Sequence, residues 1–193
     1  MEKTDPQYWN DRYLNGETGW DMGKVSPPLQ AYIGQLNSRD LRILIPGAGN
    51  SYEAAYLHQQ GFQDVTVLDI APVLVRQLRK TFEGTGIQVL ETDFFTHTGQ
   101  YDLVLEQTFF CAIDPLLRKD YVTHRHSQVK PGGHLAGVLF NRNFTQAGPP
   151  FGGSEQEYRE LFSPLFHFKT LAPCYNSHPA RQGTELFINF IPK

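Results

Sequence analysis

The chain has 193 residues, of which 40% are hydrophobic and 19% charged, and a formal net charge of −3. That length supports one domain with a developed core and is short for two. The acidic balance gives no general electrostatic pull toward nucleic acid or an anionic membrane, and no apolar run approaches the roughly 20 residues that a bilayer crossing needs.

The chain opens on Met1-Glu2-Lys3-Thr4-Asp5-Pro6, a polar run without the apolar core of a signal peptide. Residues 6–14 are predicted to form a short helix. A glycine-rich, aromatic stretch follows, in which Gly16, Gly19 and Gly23 stand near Trp9, Tyr13 and Trp20. Ser26 reads as an N-cap and Pro27 as the first residue of a helix to about residue 37. From residue 41 the pattern is regular. Residues 41–45 form an apolar strand ended by Pro46-Gly47-Ala48-Gly49, and residues 51–60 a helix stopped by Gly61. Strands are predicted over 65–69, 87–90 and 101–106, with a helix over 72–82. A helix over 114–129 leads through the turn Lys130-Pro131-Gly132-Gly133 to a strand over 134–140. Buried strands alternating with helices imply right-handed crossovers and a parallel sheet. The tail departs from this rhythm: a helix over 154–162 precedes two strands, 166–171 and 186–190. The 14 residues between them (172–185) hold Pro173, Asn176, Pro179 and Gly183, as a long hairpin connection would. The expected fold is α/β, a doubly wound, mostly parallel seven-stranded sheet. Residues 1–193 are read as one domain, with 1–40 as a lid and helix on a core of 41–193.

Three stations at the ends of successive strands carry the chemistry. Gly47 and Gly49 leave the first strand where a backbone must approach a nucleotide without Cβ clashes. Asp69 closes the second strand, 20 residues after Gly49 (69 − 49), where an acidic residue accepts hydrogen bonds from ribose hydroxyls. Asp93 follows the third strand, placed to accept from an adenine amino group, with Phe94 beside it to pack on the base. Each has a plainer reading alone: a turn, a solvated strand end, the start of a turn. Their joint occurrence where open α/β sheets bind ligands points to a nucleotide. The third glycine of a dinucleotide fingerprint is replaced by Tyr52, which would crowd a pyrophosphate.

This arrangement, with the Lys130–Gly133 turn and the two-stranded tail, resembles the class I S-adenosylmethionine-dependent methyltransferases and their Rossmann-like core. Two stretches resemble a narrower group. Tyr8-Trp9-Asn10-Asp11-Arg12-Tyr13 and Gly16-Glu17-Thr18-Gly19-Trp20-Asp21 look like the N-terminal lid of thiopurine S-methyltransferases and their thiol, thiocyanate and halide relatives. Glu106-Gln107-Thr108-Phe109-Phe110-Cys111-Ala112-Ile113-Asp114-Pro115 looks like that family's segment after the fourth strand, especially in its halide and thiol branch, and Gly148-Pro149-Pro150-Phe151 resembles its Gly-Pro-Pro-aromatic loop. The resemblance implies that Trp9, Tyr13 and Trp20 close over S-adenosylmethionine, since aromatic faces stabilise a desolvated cation such as a sulfonium by ~0.5–2 kcal/mol. The plainer reading has them packing the first helix on the sheet. The resemblance also implies an acceptor pocket edged by Gln107, Phe109, Phe110 and Phe140, an apolar edge without lysine or arginine. Gln107 stands where the thiopurine enzymes carry a basic residue, and Phe140 where halide and thiocyanate enzymes tend to carry tyrosine. These departures argue against thiopurines and bulky carboxylates.

The expected reaction is in-line displacement at the sulfonium methyl by a small soft nucleophile: a thiol, hydrosulfide, halide or thiocyanate. Such an acceptor is already nucleophilic near neutral pH, so no catalytic acid or base is assigned. A hydroxyl or amine acceptor would need a base such as Glu106 or Asp114. The seven histidines and Cys111 and Cys174 show no metal-ligand spacing, and no disulfide framework is expected of a cytoplasmic, monomeric protein. A non-catalytic adenosylmethionine-binding protein and an NAD-dependent oxidoreductase are the alternatives from other classes.

Overall fold

The computed structural model describes residues 4–193, so the expectation that residues 1–3 begin no signal peptide lies outside the described residues. Helix α1 (Pro6–Leu14) starts where the Asp5 side chain accepts the Tyr8 amide, with proline in its first turn. Helix α2 (Pro27–Gly34) follows Ser26, whose side chain makes no capping bond. It stops three residues earlier than expected, because the Gln35 and Leu36 amides turn to carbonyls three residues back, tightening the exit.

The core alternates as its apolar pattern requires: β1 (Ile43–Pro46), α3 (Tyr52–Gln59), β2 (Val65–Asp69), α4 (Pro72–Thr81), β3 (Gln88–Glu91) and β4 (Tyr101–Gln107). All residues of β1 and β2 are buried, as in a sheet covered on both faces. The predicted helix over 114–129 is divided. Asp114 accepts the Leu116 amide and starts a 3₁₀ turn at Pro115–Leu117 before α5 (Arg118–Gln128). The Lys130–Gly133 turn is absorbed into β5 (Val129–Phe140) as a bulge. Tyr101 pairs with Val129 and Leu103 with His134, so residue 102 of β4 stands opposite residues 130–133. Lys130 meets Asp102 there at 3.0 Å.

Helix α6 (Glu155–Phe162) begins where Ser154 accepts the Glu157 amide. Strands β6 (Phe166–Pro173) and β7 (Glu185–Pro192) then pair antiparallel and take up both ends of the predicted connection, leaving 174–184 between them. The strand order is β3-β2-β1-β4-β5-β7-β6, with β1 to β5 parallel. One face packs Leu29, Ile33, Leu57, Leu74 and Leu78 from α2, α3 and α4. The other packs Tyr121, Val122, Tyr158 and Phe162 from α5 and α6. The chain leaves β1 toward β2 on one side and returns to β4 on the other. That reversal opens a crevice at the carboxyl ends of the strands.

Candidate functional site

The crevice is built from the loops after β1 to β4. At Gly47 the backbone has φ +54°, and a Cβ would lie 2.1 Å from the Phe109 ring. Glycine there lets the loop pass against Phe109. Asp69 ends β2, 7% exposed, and Oδ1 accepts the Ala71 amide at 3.0 Å. Burial raises its carboxyl to about 6, against the lowering effect of the Ala71, Ile70 and Gly49 amides. Asp93, after β3, accepts the Phe95 amide at 2.8 Å and starts the 3₁₀ turn Phe94–Thr96. The Phe94 ring has the Arg125 guanidinium 4.2 Å away, over its centroid.

Residues 4–25 lie across this crevice. Trp20 packs edge-on to Trp9 and Tyr13, ring centroids 5.7 Å apart in both pairs. Burial, and then the charge of Asp69, push the Tyr13 phenol well up, so it is a neutral hydroxyl. Four contacts hold the segment down: Asn10 accepts the Val73 amide in the first turn of α4, Asp21 accepts from Asn50 and Tyr52, and the Trp20 carbonyl accepts from Arg181 at 2.8 Å. Tyr52 thus turns outward to Asp21 at the head of α3.

The acceptor side is fixed from beneath. Glu106, fully buried, accepts the Phe109 and Phe110 amides at 2.8 Å each and the Tyr121 hydroxyl. Burial raises its carboxyl, with Arg125 opposing. Thr108 takes φ +59° to start this turn. The Cys111 thiol, pushed up to about 12 first by burial and then by Glu106, donates to the Thr108 carbonyl. The Phe151 amide donates to the Cys111 carbonyl at 2.7 Å, drawing 149–151 to the same wall.

These elements enclose a cavity of about 940 Å³, within the usual range for ligand sites. Trp9, Tyr13, Trp20, Gly47, Asp69, Asp93, Phe94, Phe109 and Phe140 line it. Two sequence-based placements differ from the structure. Phe110, 1% exposed, points away and packs on Tyr121, Tyr158 and Phe162. Gln107 is not in the wall, and both of its side-chain polar atoms are buried without partners. Gly49, at φ +51°, is half-buried beside the wall, where a Cβ would lie 3.8 Å from the Tyr13 hydroxyl, and its amide is directed to Asp69. Nor is the acceptor side free of arginine: Arg142 and Arg181 both line it. Glu106 is a buried clasp for the backbone at residues 109 and 110, and both its oxygens are already taken by the two amides and the Tyr121 hydroxyl. Arg181, Arg125 and Tyr121 escaped sequence reasoning. Only the last two carry a signal, their spacing of four on one face of α5.

The wall suits an adenosyl sulfonium. A buried carboxylate whose charge is under-solvated fits a ligand that brings hydroxyl donors, and the three aromatic rings over the crevice fit a cation. The strand order and crevice together define a class I S-adenosylmethionine-dependent methyltransferase fold. The 1,6-didemethyltoxoflavin-N1-methyltransferase of Burkholderia thailandensis, solved with 1,6-didemethyltoxoflavin and S-adenosylhomocysteine bound, has this fold. It superposes with a TM-score of 0.78 at 18% identity, over 97% of this chain and 87% of its own. The thiopurine S-methyltransferase family model matches residues 4–185. Probable thiol methyltransferase 2 of Arabidopsis thaliana is 30% identical over 171 residues, 86% of this chain and 75% of the relative. Thiocyanate methyltransferase 1 of the same plant is 27% identical over 187 residues, 92% and 81%. Thiopurine S-methyltransferase of Vibrio parahaemolyticus is 24% identical over 180 residues, 82% of each chain. The chain belongs to the thiopurine S-methyltransferase family and is an enzyme that uses S-adenosylmethionine. That sets aside both the oxidoreductase and the non-catalytic readings. No described helix is long and apolar enough to cross a membrane.

Proposed function

We propose that this enzyme, a single-domain cytoplasmic monomer, methylates a small soft nucleophile, with thiols and hydrosulfide favoured over iodide and thiocyanate and thiopurines poorer. One observation carries the reading. Among the described residues on the acceptor side of the cavity, the only carboxylate is Asp114, and it is engaged with the Leu116 amide. With Glu106 buried and the Cys111 thiol held protonated, an acceptor has to arrive already nucleophilic.

The bound cofactor supplies an electrophilic methyl group. Asp69 would accept from its ribose hydroxyls, Asp93 and Phe94 would hold its base, and the Gly47–Gly49 loop would let the protein backbone come close to it. Trp9, Tyr13 and Trp20 cover the crevice and exclude water, and Phe109 and Phe140 face the acceptor. Catalysis then rests on alignment and exclusion of water. The test is transfer from methyl-labelled cofactor to a panel of hydrosulfide, small thiols, iodide, thiocyanate and a thiopurine. A preference for a bulky aromatic carboxylate or a thiopurine refutes the reading. Light scattering of the purified chain tests the monomer.

A further inference from the structure

Among the described residues the acceptor side holds one buried cation, and nothing above uses its charge. Arg181 ends the 3₁₀ turn Pro179–Arg181 between β6 and β7, is 9% exposed, and lines the cavity. Its Nη2 donates to the Trp20 carbonyl at 2.8 Å, and its Nη1 reaches Glu185 at 3.5 Å. Its guanidinium carbon lies 5.4 Å from the centre of the Phe140 ring. The other cations in the wall are placed differently. Arg142 is exposed and stacks on Phe144, and Arg12 bonds to the Tyr8 hydroxyl on the outer helix. The groups sharing the field of Arg181 are Glu185, Glu53 and the Cys111 thiol. Glu53 is itself held by the Ser26 amide, and Glu185 forms a buried ion pair with Arg181 through Nη1 alone at 3.5 Å, so neither engages the guanidinium fork bidentately.

We propose that Arg181 selects anionic over neutral acceptors, and that its bond to the Trp20 carbonyl puts this charge in place only when residues 4–25 cover the crevice. The inference rests on the reading of the acceptor as a small soft nucleophile.

The charge balance of the reaction gives the proposal its signature. With hydrosulfide, a sulfur lone pair forms the bond to the methyl carbon while the bond from that carbon to the sulfonium sulfur breaks. The electron pair of the broken bond stays on the cofactor sulfur, giving methanethiol and neutral S-adenosylhomocysteine with no proton transferred. An anion and a cation become two neutral molecules. A fixed guanidinium therefore holds the incoming anion more strongly than the transition state, in which that charge is already shrinking. With neutral dimethyl sulfide the positive charge passes to the acceptor, which leaves as trimethylsulfonium, and the same guanidinium opposes it.

The experiment compares wild type, Arg181→Lys and Arg181→Met on sodium hydrosulfide, potassium iodide and dimethyl sulfide. Calorimetry with S-adenosylhomocysteine reports whether each variant is folded and covers its cofactor. Arg181→Met is expected to raise KM for hydrosulfide and iodide about tenfold or more with kcat unchanged or higher, since a lost ground-state interaction appears in KM. It should lower kcat/KM for dimethyl sulfide far less than for the two anions, any loss common to all three measuring its bond to the Trp20 carbonyl, and Arg181→Lys should fall between. A readout independent of turnover is available because Trp9 and Trp20, the only two tryptophans, both line the cavity. Iodide should quench their fluorescence saturably in the wild-type complex with S-adenosylhomocysteine, and only linearly in Arg181→Met. An equal loss on the anions and on dimethyl sulfide, carried by kcat, overturns the proposal and leaves Arg181 as a latch. Saturable quenching retained in Arg181→Met also overturns it. If wild type methylates none of the three, the small-nucleophile reading fails, and the quenching still decides the role of Arg181.

Discussion

Asp69 stores a conflict that a single substitution exposes. Its carboxyl is buried, and its pKa is raised to about 6 despite the surrounding amides. Measured from an ordinary carboxylate, a rise of that size corresponds to about 3 kcal/mol, at roughly 1.4 kcal/mol per pH unit. The sign follows from proton binding. Between the ordinary carboxylate range and about 6 the folded chain holds the proton more firmly than the unfolded chain. Stability of the cofactor-free enzyme therefore falls as pH rises through that window, and the full cost is present above it. Asp69→Asn removes the charge and keeps an oxygen for the Ala71 amide. It also turns an NH₂ group toward the remaining amides, which returns about 1 kcal/mol of the gain. The net expectation near neutral pH is a variant more stable by about 2 kcal/mol, or a Tm higher by roughly 4–8 °C for a chain of this length. Binding should move the other way. Loss of charged hydrogen bonds to the ribose costs about 1.5–3 kcal/mol, roughly a 10- to 150-fold weaker Kd. Thermal denaturation without cofactor from about pH 4 to 8, beside calorimetric titration with S-adenosylhomocysteine, reads both effects. Wild-type affinity should weaken as pH falls through about 6, and the variant's should not. A variant less stable than wild type at neutral pH, or a wild-type stability that is flat across the window, refutes the account.

Three further outcomes are expected. Gly47→Ala combines a left-handed backbone with a Cβ driven into Phe109, so it should destabilise by about 1–3 kcal/mol and weaken cofactor binding, read by denaturation and calorimetry. Glu106→Ala strips the partners from two amides and the Tyr121 hydroxyl and leaves Arg125 buried without its counter-charge. A loss of about 3–5 kcal/mol in urea unfolding is expected, and a loss below about 1 kcal/mol would mean that the clasp is idle. Amide exchange across residues 4–25 should slow on adding S-adenosylhomocysteine. Equal exchange with and without it would make Trp9, Tyr13 and Trp20 packing residues only.

The sheet was legible because its signals are local. Val65–Asp69 is bounded as its apolar run predicts, and Ser154 stands at the N-cap of α6. The crevice residues Gly47, Asp69 and Asp93 were legible because each sits at a strand end, where the fold fixes its direction. The acceptor side was not. Alternation along β4 places Gln107 with Leu103 and Leu105, but beyond it the positive φ of Thr108 breaks the period. Which of Phe109 and Phe110 faces inward is then set by Glu106 below, a hydrogen-bond pattern with no sequence period. Arg181 was hidden for another reason. It lies 161 residues from Trp20, and only the lengths of β6 and β7 bring it back to the crevice.

The clasp at Glu106 has a consequence for how such enzymes diversify. The turn at residues 109 and 110 is held from its inner side by a carboxylate that a phenol in turn holds, not by the side chains it shows to the cavity. Fold and recognition are thereby written on opposite faces of one short turn. Ala112, half-buried on the cavity side, can be exchanged while the inner bonds keep the turn in place, whereas Ile113 and Phe109 also pack on the core. A lineage, or an engineer, can re-letter that position of the acceptor wall without first having to rebuild the turn.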